Sequence, residues 1–195
     1  MIKTNISSIY PNHISRYRSS NSTIYIADYT EQTKNSVIKR GVEIFNTNPP
    51  KDINYFSLIN NSKLDVGYID FDNTSFVCSN GKSRSQCECV VFPDVSVEDS
   101  WILFSELKYS PNPAFNNFNL NKAIKQLYKT RYYYIQNNII TKKHTSYLIA
   151  SLPLQTEPFL NFSLSPAFLI KLKRKRNIVL KRTNKVEIID RKYIQ

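Results

Sequence analysis

The chain has 195 residues, 41% of them hydrophobic and 22% charged, which predicts one globular domain with a substantial core. It contains only three glycines and neither a P-loop nor a dinucleotide-binding fingerprint. No apolar run approaches the roughly 20 residues that cross a bilayer. The amino terminus is too polar for a signal peptide. We therefore expect a cytoplasmic protein with no membrane partner.

The net charge of +12 is distributed unevenly along the chain. Residues 171–195 contain ten basic and two acidic residues, whereas eight of the fifteen acids lie between Asp65 and Glu106. A basic flank beside an acidic centre favours a surface that follows phosphates around a divalent-metal pocket, although it could also be a solvated tail. The candidate nucleic-acid-binding residues are Lys173, Arg174, Lys175, Arg176, Lys181 and Arg182.

The first half of the chain predicts one helix and two strands. Apolar residues at 38, 42 and 45 predict a helix over residues 30–45, ended by the prolines at 49 and 50. Partial alternation predicts strands near residues 55–59 and 66–77, followed by a turn at residues 79–82.

The second half predicts further strands around a long helix. Apolar runs at residues 87–92 and 101–109 predict two strands, and residues 119–137 predict a helix. Residues 144–152 predict the next strand, and residues 177–180 and 186–190 predict a hairpin. This order predicts a mixed α/β domain over residues 1–153, with residues 154–195 as a basic C-terminal extension packed on it.

Cysteine and histidine do not predict a site of their own. Cys87 and Cys89 flank Glu88, and without a CxxC or Cys/His partner we expect buried core thiols rather than metal ligands. His13 and His144 are isolated in sequence. A Cys–His or Ser–His–Asp mechanism is therefore not indicated.

Two charged residues interrupt the apolar strand at residues 101–109. Glu106 and Lys108 are two residues apart, so both side chains leave the same face of the strand. If the preceding turn centres near Val97, Val90 lies opposite Phe104 and Glu88 lies opposite Glu106. Carboxylates about 5 Å apart repel each other unless a cation lies between them. Magnesium suits this arrangement because it binds through one or two carboxylates.

Asp94 is the other candidate for the first acid, because Pro93-Asp94 spells the first half of a known nuclease motif. The same register places Asp94 opposite about Ser100, roughly 15–20 Å along the strand from Glu106. That distance is too long for a shared metal ion, so Glu88 is preferred.

The order acid, apolar strand, turn, strand ending in Glu-x-Lys and helix resembles the PD-(D/E)xK nuclease superfamily over residues 28–153. The resemblance implies a restriction-endonuclease-like mixed central sheet flanked by helices. It also implies that Glu88 and Glu106 bind magnesium and that Lys108 positions the attacking water. Members often have an acid on the first helix, for which Glu31 is preferred over Glu43, and some have a Gln where Gln126 stands. Here Glu replaces the commoner Asp at the first position.

The leading hypothesis is a Mg²⁺- or Mn²⁺-dependent nuclease that hydrolyses phosphodiester bonds in defence, restriction or repair. DNA is favoured over RNA only by the habit of the family. The rival hypothesis is a catalytically inactive module with this fold that binds nucleic acid or a partner protein. The sequence leaves a homodimer open.

Overall fold

The computed structural model describes residues 1–195, which form two β-sheets and one layer of helices. The strands are β1 (Arg18–Ser20), β2 (Ile24–Asp28), β3 (Val42–Phe45), β4 (Phe56–Ile59), β5 (Val66–Asp70), β6 (Cys89–Pro93), β7 (Trp101–Leu107), β8 (Thr145–Ser151), β9 (Ile178–Arg182) and β10 (Lys185–Glu187). The helices are α1 (Ile2–Ile9), α2 (Pro11–Ile14), α3 (Asn116–Gln136) and α4 (Pro166–Arg176), with a 3₁₀ turn at Pro113–Phe115. None of these helices combines the length and apolarity that crossing a membrane requires.

The larger sheet has six strands in the order β1-β5-β6-β7-β8-β9. Neighbours from β1 to β7 are antiparallel, and β7, β8 and β9 are parallel. The helices α3 and α4 connect the parallel strands, because a parallel pair needs a long crossover. The predicted mixed α/β class is confirmed.

The predicted register between β6 and β7 is also confirmed. Val90 pairs with Phe104, and Cys89 pairs with Ser105. The backbone N–H of Glu88 donates to the carbonyl of Ser105, 3.0 Å away, but Ser105 is the partner of Cys89, so Glu88 lies at the irregular end of the ladder rather than directly paired with Glu106 as predicted. Glu88 and Glu106 are therefore brought to the same end of the sheet.

The six-stranded sheet is covered on both faces. On one face, α1, α3 and α4 bury residues such as Ile6, Leu127 and Leu172 against it. On the other face lies a four-stranded sheet in the order β10-β4-β2-β3, which contributes residues such as Ile26 and Phe56. All seven residues of β7 are buried, in agreement with its apolar sequence. The sequence did not predict that a second sheet covers one face.

The predicted helix over residues 30–45 is wrong. Residues 30–38 form turns and bends, and residues 42–45 form β3, which pairs antiparallel with β2. Ile38 is 78% exposed and only Ile44 of this stretch is buried, so the helical spacing of 38, 42 and 45 is coincidental. Backbone pairing with β2 outweighs this local spacing.

The predicted hairpin near the carboxyl terminus is also wrong. The strand β9 pairs parallel with β8 in the larger sheet, whereas β10 pairs parallel with β4 in the smaller one. Residues 154–195 thus supply α4 and one strand to each sheet, and they complete both cores. They are part of the fold rather than a separate appendage.

Candidate functional site

A polar cleft of about 790 Å³ lies where β7 ends and β6 begins. The amino-terminal half of α3 forms one wall, and the β2–β3 connection forms another. Charged side chains line it, with Arg16, Arg84, Lys108 and Lys122 among the cations and Asp28, Glu31, Asp72 and Glu88 among the acids. Such a polar, charged interior suits a charged ligand better than an apolar one.

The centre of the site is the Glu106–Lys108 pair. The Glu106 side chain is fully buried, and its Oε1 accepts a hydrogen bond from Lys108 Nζ. Its Oε2 is buried without any hydrogen-bond partner in the protein. The Lys108 side chain is 18% exposed and reaches the cleft. A buried carboxylate with one unpartnered oxygen is costly unless a proton or a cation neutralises it.

Two further acids adjoin this pair. Glu88 lines the cleft directly before β6, and Asp28 lines it at the end of β2 in the smaller sheet. Asp28 Oδ1 accepts from the backbone of Thr30 at 2.9 Å, and its own N–H donates to Tyr109 Oη at 3.2 Å. Tyr109 Oη in turn donates to the carbonyl of Asn54 at 2.7 Å. This network joins the end of β2 to Tyr109, two residues beyond the end of β7.

Burial and repulsion between neighbouring acids raise the pKa values of the carboxyl groups in this site. Burial, followed by the charges of Glu106 and Asp28, raises the pKa of Glu88 well above its usual range. Burial raises the pKa of Glu106 to about 7, although Lys108 opposes the shift. Burial alone would lower the pKa of Lys108, but the acids around it raise that pKa overall. The three acids therefore favour a cation at this position.

Gln126 lies on α3 and lines the cleft. Its Nε2 donates to the carbonyl of Gln86 at 2.8 Å, and its Oε1 is buried without a partner. One turn further, Thr130 Oγ1 accepts from the backbone N–H of Cys87 at 2.8 Å. The helix thereby holds the segment that carries Glu88.

The other candidate acids lie away from the centre. Glu31 is exposed on a turn at the mouth of the cleft and pairs with Lys34 at 2.9 Å, so the expectation that it faces inward from a helix is wrong. Glu43 on β3 pairs with Arg40 at 2.7 Å. Asp94 lies at the opposite end of β6 from Glu88 and accepts from Tyr17 Oη.

Asp28 is an acid of the cleft that the sequence did not single out. It follows the alternating run Ile24-Tyr25-Ile26-Ala27, which is a strand signal ending in an acid. The prediction of a helix directly after it, over residues 30–45, concealed this signal.

The basic candidates divide into two groups. Lys181 and Arg182 pair with Ile149 and Ala150, and Ala150 also pairs with Glu106, so they lie level with the site two strands away. Lys173, Arg174, Lys175 and Arg176 form the last turn of α4. Lys173 Nζ contacts Thr145 Oγ1 at 3.3 Å, at the end of β8 that is remote from the site. That end is roughly 17 Å along the sheet from Glu106.

Cys87 and Cys89 are buried and free, yet they face different cores. The strand β6 begins only at Cys89, so the spacing of two residues does not place both thiols on one face. His13 and His144 are also buried, and burial lowers the pKa of each.

Comparison with protein-family models, with curated proteins and with solved structures finds no match to this chain. The chemistry of the cleft therefore rests on its own residues. No group of three or more His, Cys, Asp or Glu side chains is arranged as a metal site. Magnesium needs only one or two carboxylates, because water and phosphate oxygens complete its octahedron. The unpartnered Oε2 of Glu106 and the adjoining carboxylates of Glu88 and Asp28 fit that requirement.

Proposed function

We propose that the protein is a metal-dependent nuclease that hydrolyses phosphodiester bonds, with DNA as the favoured substrate. The observation that carries the proposal is that Asp28, Glu88 and Lys108 line one cleft while Glu106, buried in contact with Lys108, leaves one carboxylate oxygen without a partner. The order of acid, strand, Glu-x-Lys strand and helix supports a place in the PD-(D/E)xK superfamily.

Glu88 and Glu106 would hold the Mg²⁺ or Mn²⁺ ion, with Asp28 as a neighbouring acid that adds negative charge beside them. When bound, such an ion lowers the pKa of water and offsets the charge that develops on the phosphate. Lys108 Nζ would orient the attacking water, and Glu106 Oε1 holds that ammonium group in place. The water oxygen forms a bond to phosphorus and releases a proton, the bridging P–O bond breaks, and the leaving alkoxide oxygen takes up a proton to become the alcohol.

Two of the four cations that line the cleft support binding of a phosphate backbone, because Arg16 is paired with Asp70 and Asp72 and Lys108 is paired with Glu106. Lys122 is exposed on α3, and Arg84 is exposed on the segment that leads to β6. Lys181 and Arg182 lie at the level of the site two strands away but outside the cleft, and Arg182 Nη1 donates to the carbonyl of Phe162 at 2.8 Å. Contacts between such cations and phosphates bind any sequence and position the strand.

The decisive experiment is cleavage of plasmid DNA, single-stranded DNA and RNA with added Mg²⁺ or Mn²⁺. We expect cutting that a chelator abolishes and that Lys108→Ala lowers by about 100-fold or more. Lys51→Ala, which removes an exposed lysine elsewhere, is the matched control and should cut normally.

The second candidate function is a catalytically inactive module that binds nucleic acid or a partner protein. The direct contact between Lys108 and Glu106 favours it, because that pair could serve structure alone. Absence of cutting on every substrate, together with absence of metal binding, would support this module instead.

A further inference from the structure

A second cavity of about 730 Å³ lies between α3 and α4 and shares no residue with the cleft. We call it the α3–α4 groove. Its charged and aromatic lining consists of Lys129, Tyr132, Phe168, Lys171, Lys175 and Arg176. The Tyr128 and Leu172 side chains complete it, and Leu172 belongs to the helix-side core. The groove is therefore built on a packed helix pair.

The two helices carry a concentrated positive charge. The sequence of α3 has four basic residues, that of α4 has five, and neither contains an acid. None of Lys129, Lys171, Lys175 and Arg176 takes part in any ion pair of the protein. Cations that lack acidic neighbours are available to an anionic ligand.

Aromatic rings accompany these cations. Tyr132 is 55% exposed and Phe168 is 41% exposed, so each presents ring surface to solvent at the groove. Exposed rings beside lysines are the arrangement with which proteins hold unpaired bases and their phosphates. The bases of a duplex are stacked on each other and offer no free face to such rings.

One buried contact fixes the shape of the groove. Arg131 on α3 is nearly buried, and its Nη2 donates to the carbonyl of Arg176 at 2.9 Å while its Nε donates to Ser146 Oγ at 2.9 Å. The end of α4 is thus held against α3 before any ligand arrives. Such preorganisation lowers the cost of binding.

We propose that the α3–α4 groove binds single-stranded polynucleotide, with phosphates on the lysines and bases on Tyr132 and Phe168. The inference deepens the proposed function by naming single-stranded polynucleotide as the form of the substrate. It rests on that function only in that the bound strand continues to the cleft. An anionic membrane fits less well, because Phe168 and Ile170 leave α4 about 200° apart and do not form one apolar face.

The test is fluorescence anisotropy in chelator, where no cleavage occurs. The probes are a labelled oligothymidylate of about 20 nucleotides, which exceeds one binding site, and a duplex of equal length. We expect the single strand to bind more tightly than the duplex. Lys171→Ala/Lys175→Ala should reduce the slope of log affinity against log salt by about 1.4, because each phosphate contact contributes about 0.7. Alanine is a good helix former, so α4 should remain folded.

Tyr132→Ala should weaken binding of the single strand at least fivefold, whereas Tyr132→Phe, which keeps the ring, should retain it. Lys51→Ala/Lys63→Asn removes two charges from loops of the smaller sheet and is the matched control. Asn suits position 63 because Lys63 has φ 54°.

Affinity for the single strand that is unchanged in both groove variants would overturn the proposal. Binding to phosphatidylserine vesicles but not to the oligonucleotide would also overturn it and assign the groove to a membrane surface. Cleavage is measured in a separate assay. If the groove binds the single strand but the protein cuts no substrate, the proposed nuclease function is wrong and the proposed binding site stands.

Discussion

At the scale of single residues, Glu106 is a carboxyl group whose burial costs stability. Its side chain is fully buried, and only one of its oxygens is satisfied, by Lys108. The neighbouring Glu88 has a raised pKa for the same reasons of burial and repulsion. Sites that hold several acids together at the expense of stability are characteristic of metal and catalytic centres.

In the absence of metal, the free energy of unfolding should decrease as pH rises, because Glu106 loses its proton. Its pKa of about 7 in the folded protein lies above the ordinary value of 4.5, so the folded state binds this proton more tightly. The stabilisation is complete below the ordinary pKa, is lost as pH rises through about 7, and is absent above it. Glu106→Gln should remove a decline on the order of 3 kcal/mol in the free energy of unfolding between about pH 5 and pH 8. Urea titrations in chelator measure it, and equal declines in both proteins would contradict the assignment.

Asp28 and Glu31 provide a matched pair for the identity of the third acid. Asp28 adjoins Glu88 and Glu106, whereas Glu31 is exposed at the mouth of the cleft and pairs with Lys34. We expect Asp28→Asn to lower metal-dependent cleavage and the affinity for Mn²⁺ by about tenfold or more, as loss of an acid beside the metal ligands would. Glu31→Gln should change both by less than about twofold, because an exposed pair contributes little. Calorimetric titration with Mn²⁺ supplies a readout besides activity, and the reverse ranking would restore Glu31 to the site.

At the scale of elements, α3 connects the helix layer to the strand segment that bears Glu88. Gln126 binds the carbonyl of Gln86, and Thr130 binds the N–H of Cys87. Thr130 is fully buried, and its hydroxyl also donates to the carbonyl of Gln126 at 3.1 Å. The position of Glu88 therefore depends on a helix that follows it by more than twenty residues.

Replacing Thr130 with Val keeps the volume of the side chain but leaves the buried N–H of Cys87 without an acceptor. We expect a loss of about 1–3 kcal/mol in the free energy of unfolding, measured by urea denaturation. Thr47→Val is the control, because Thr47 is exposed and its change should stay within about 0.5 kcal/mol. If the two variants were equally stable, the hydrogen bond between Thr130 and the N–H of Cys87 would not contribute to the stability of the fold.

The elements that could be predicted from sequence are those with strong local patterns. The strands β6 and β7 are apolar, and their register follows from a single turn. Apolar residues recur at helical spacing along the whole of α3. The register alone brought Glu88 to Glu106. Asp28 could not be paired with them in the same way, because β2 belongs to the other sheet and no turn joins the two. Pairing with β2 likewise decided that residues 42–45 form a strand.

At the scale of the whole molecule, the last residues join the two sheets. Trp101 Nε1 at the start of β7 donates to the carbonyl of Asp190 at 2.8 Å. The N–H of Ile194 donates to Tyr147 Oη at 3.1 Å, and Ile194 itself is buried in the core between the sheets. The carboxyl-terminal residues thus help to hold the smaller sheet, which carries Asp28, against the larger sheet.

Two isoleucines near the carboxyl terminus test this closure with the same substitution. Ile194 is 1% exposed between the sheets, whereas Ile189 is 41% exposed, and the backbone N–H of each donates a hydrogen bond that alanine preserves. We expect Ile194→Ala to lower the free energy of unfolding by about 2–5 kcal/mol through the lost burial and the cavity it leaves. Ile189→Ala should lower it by less than about 1 kcal/mol, because less apolar area is lost from contact. Urea denaturation compares the two variants. If they lost stability equally, the terminal segment would not be packed between the sheets, and the smaller sheet would not depend on it to hold Asp28 at the cleft.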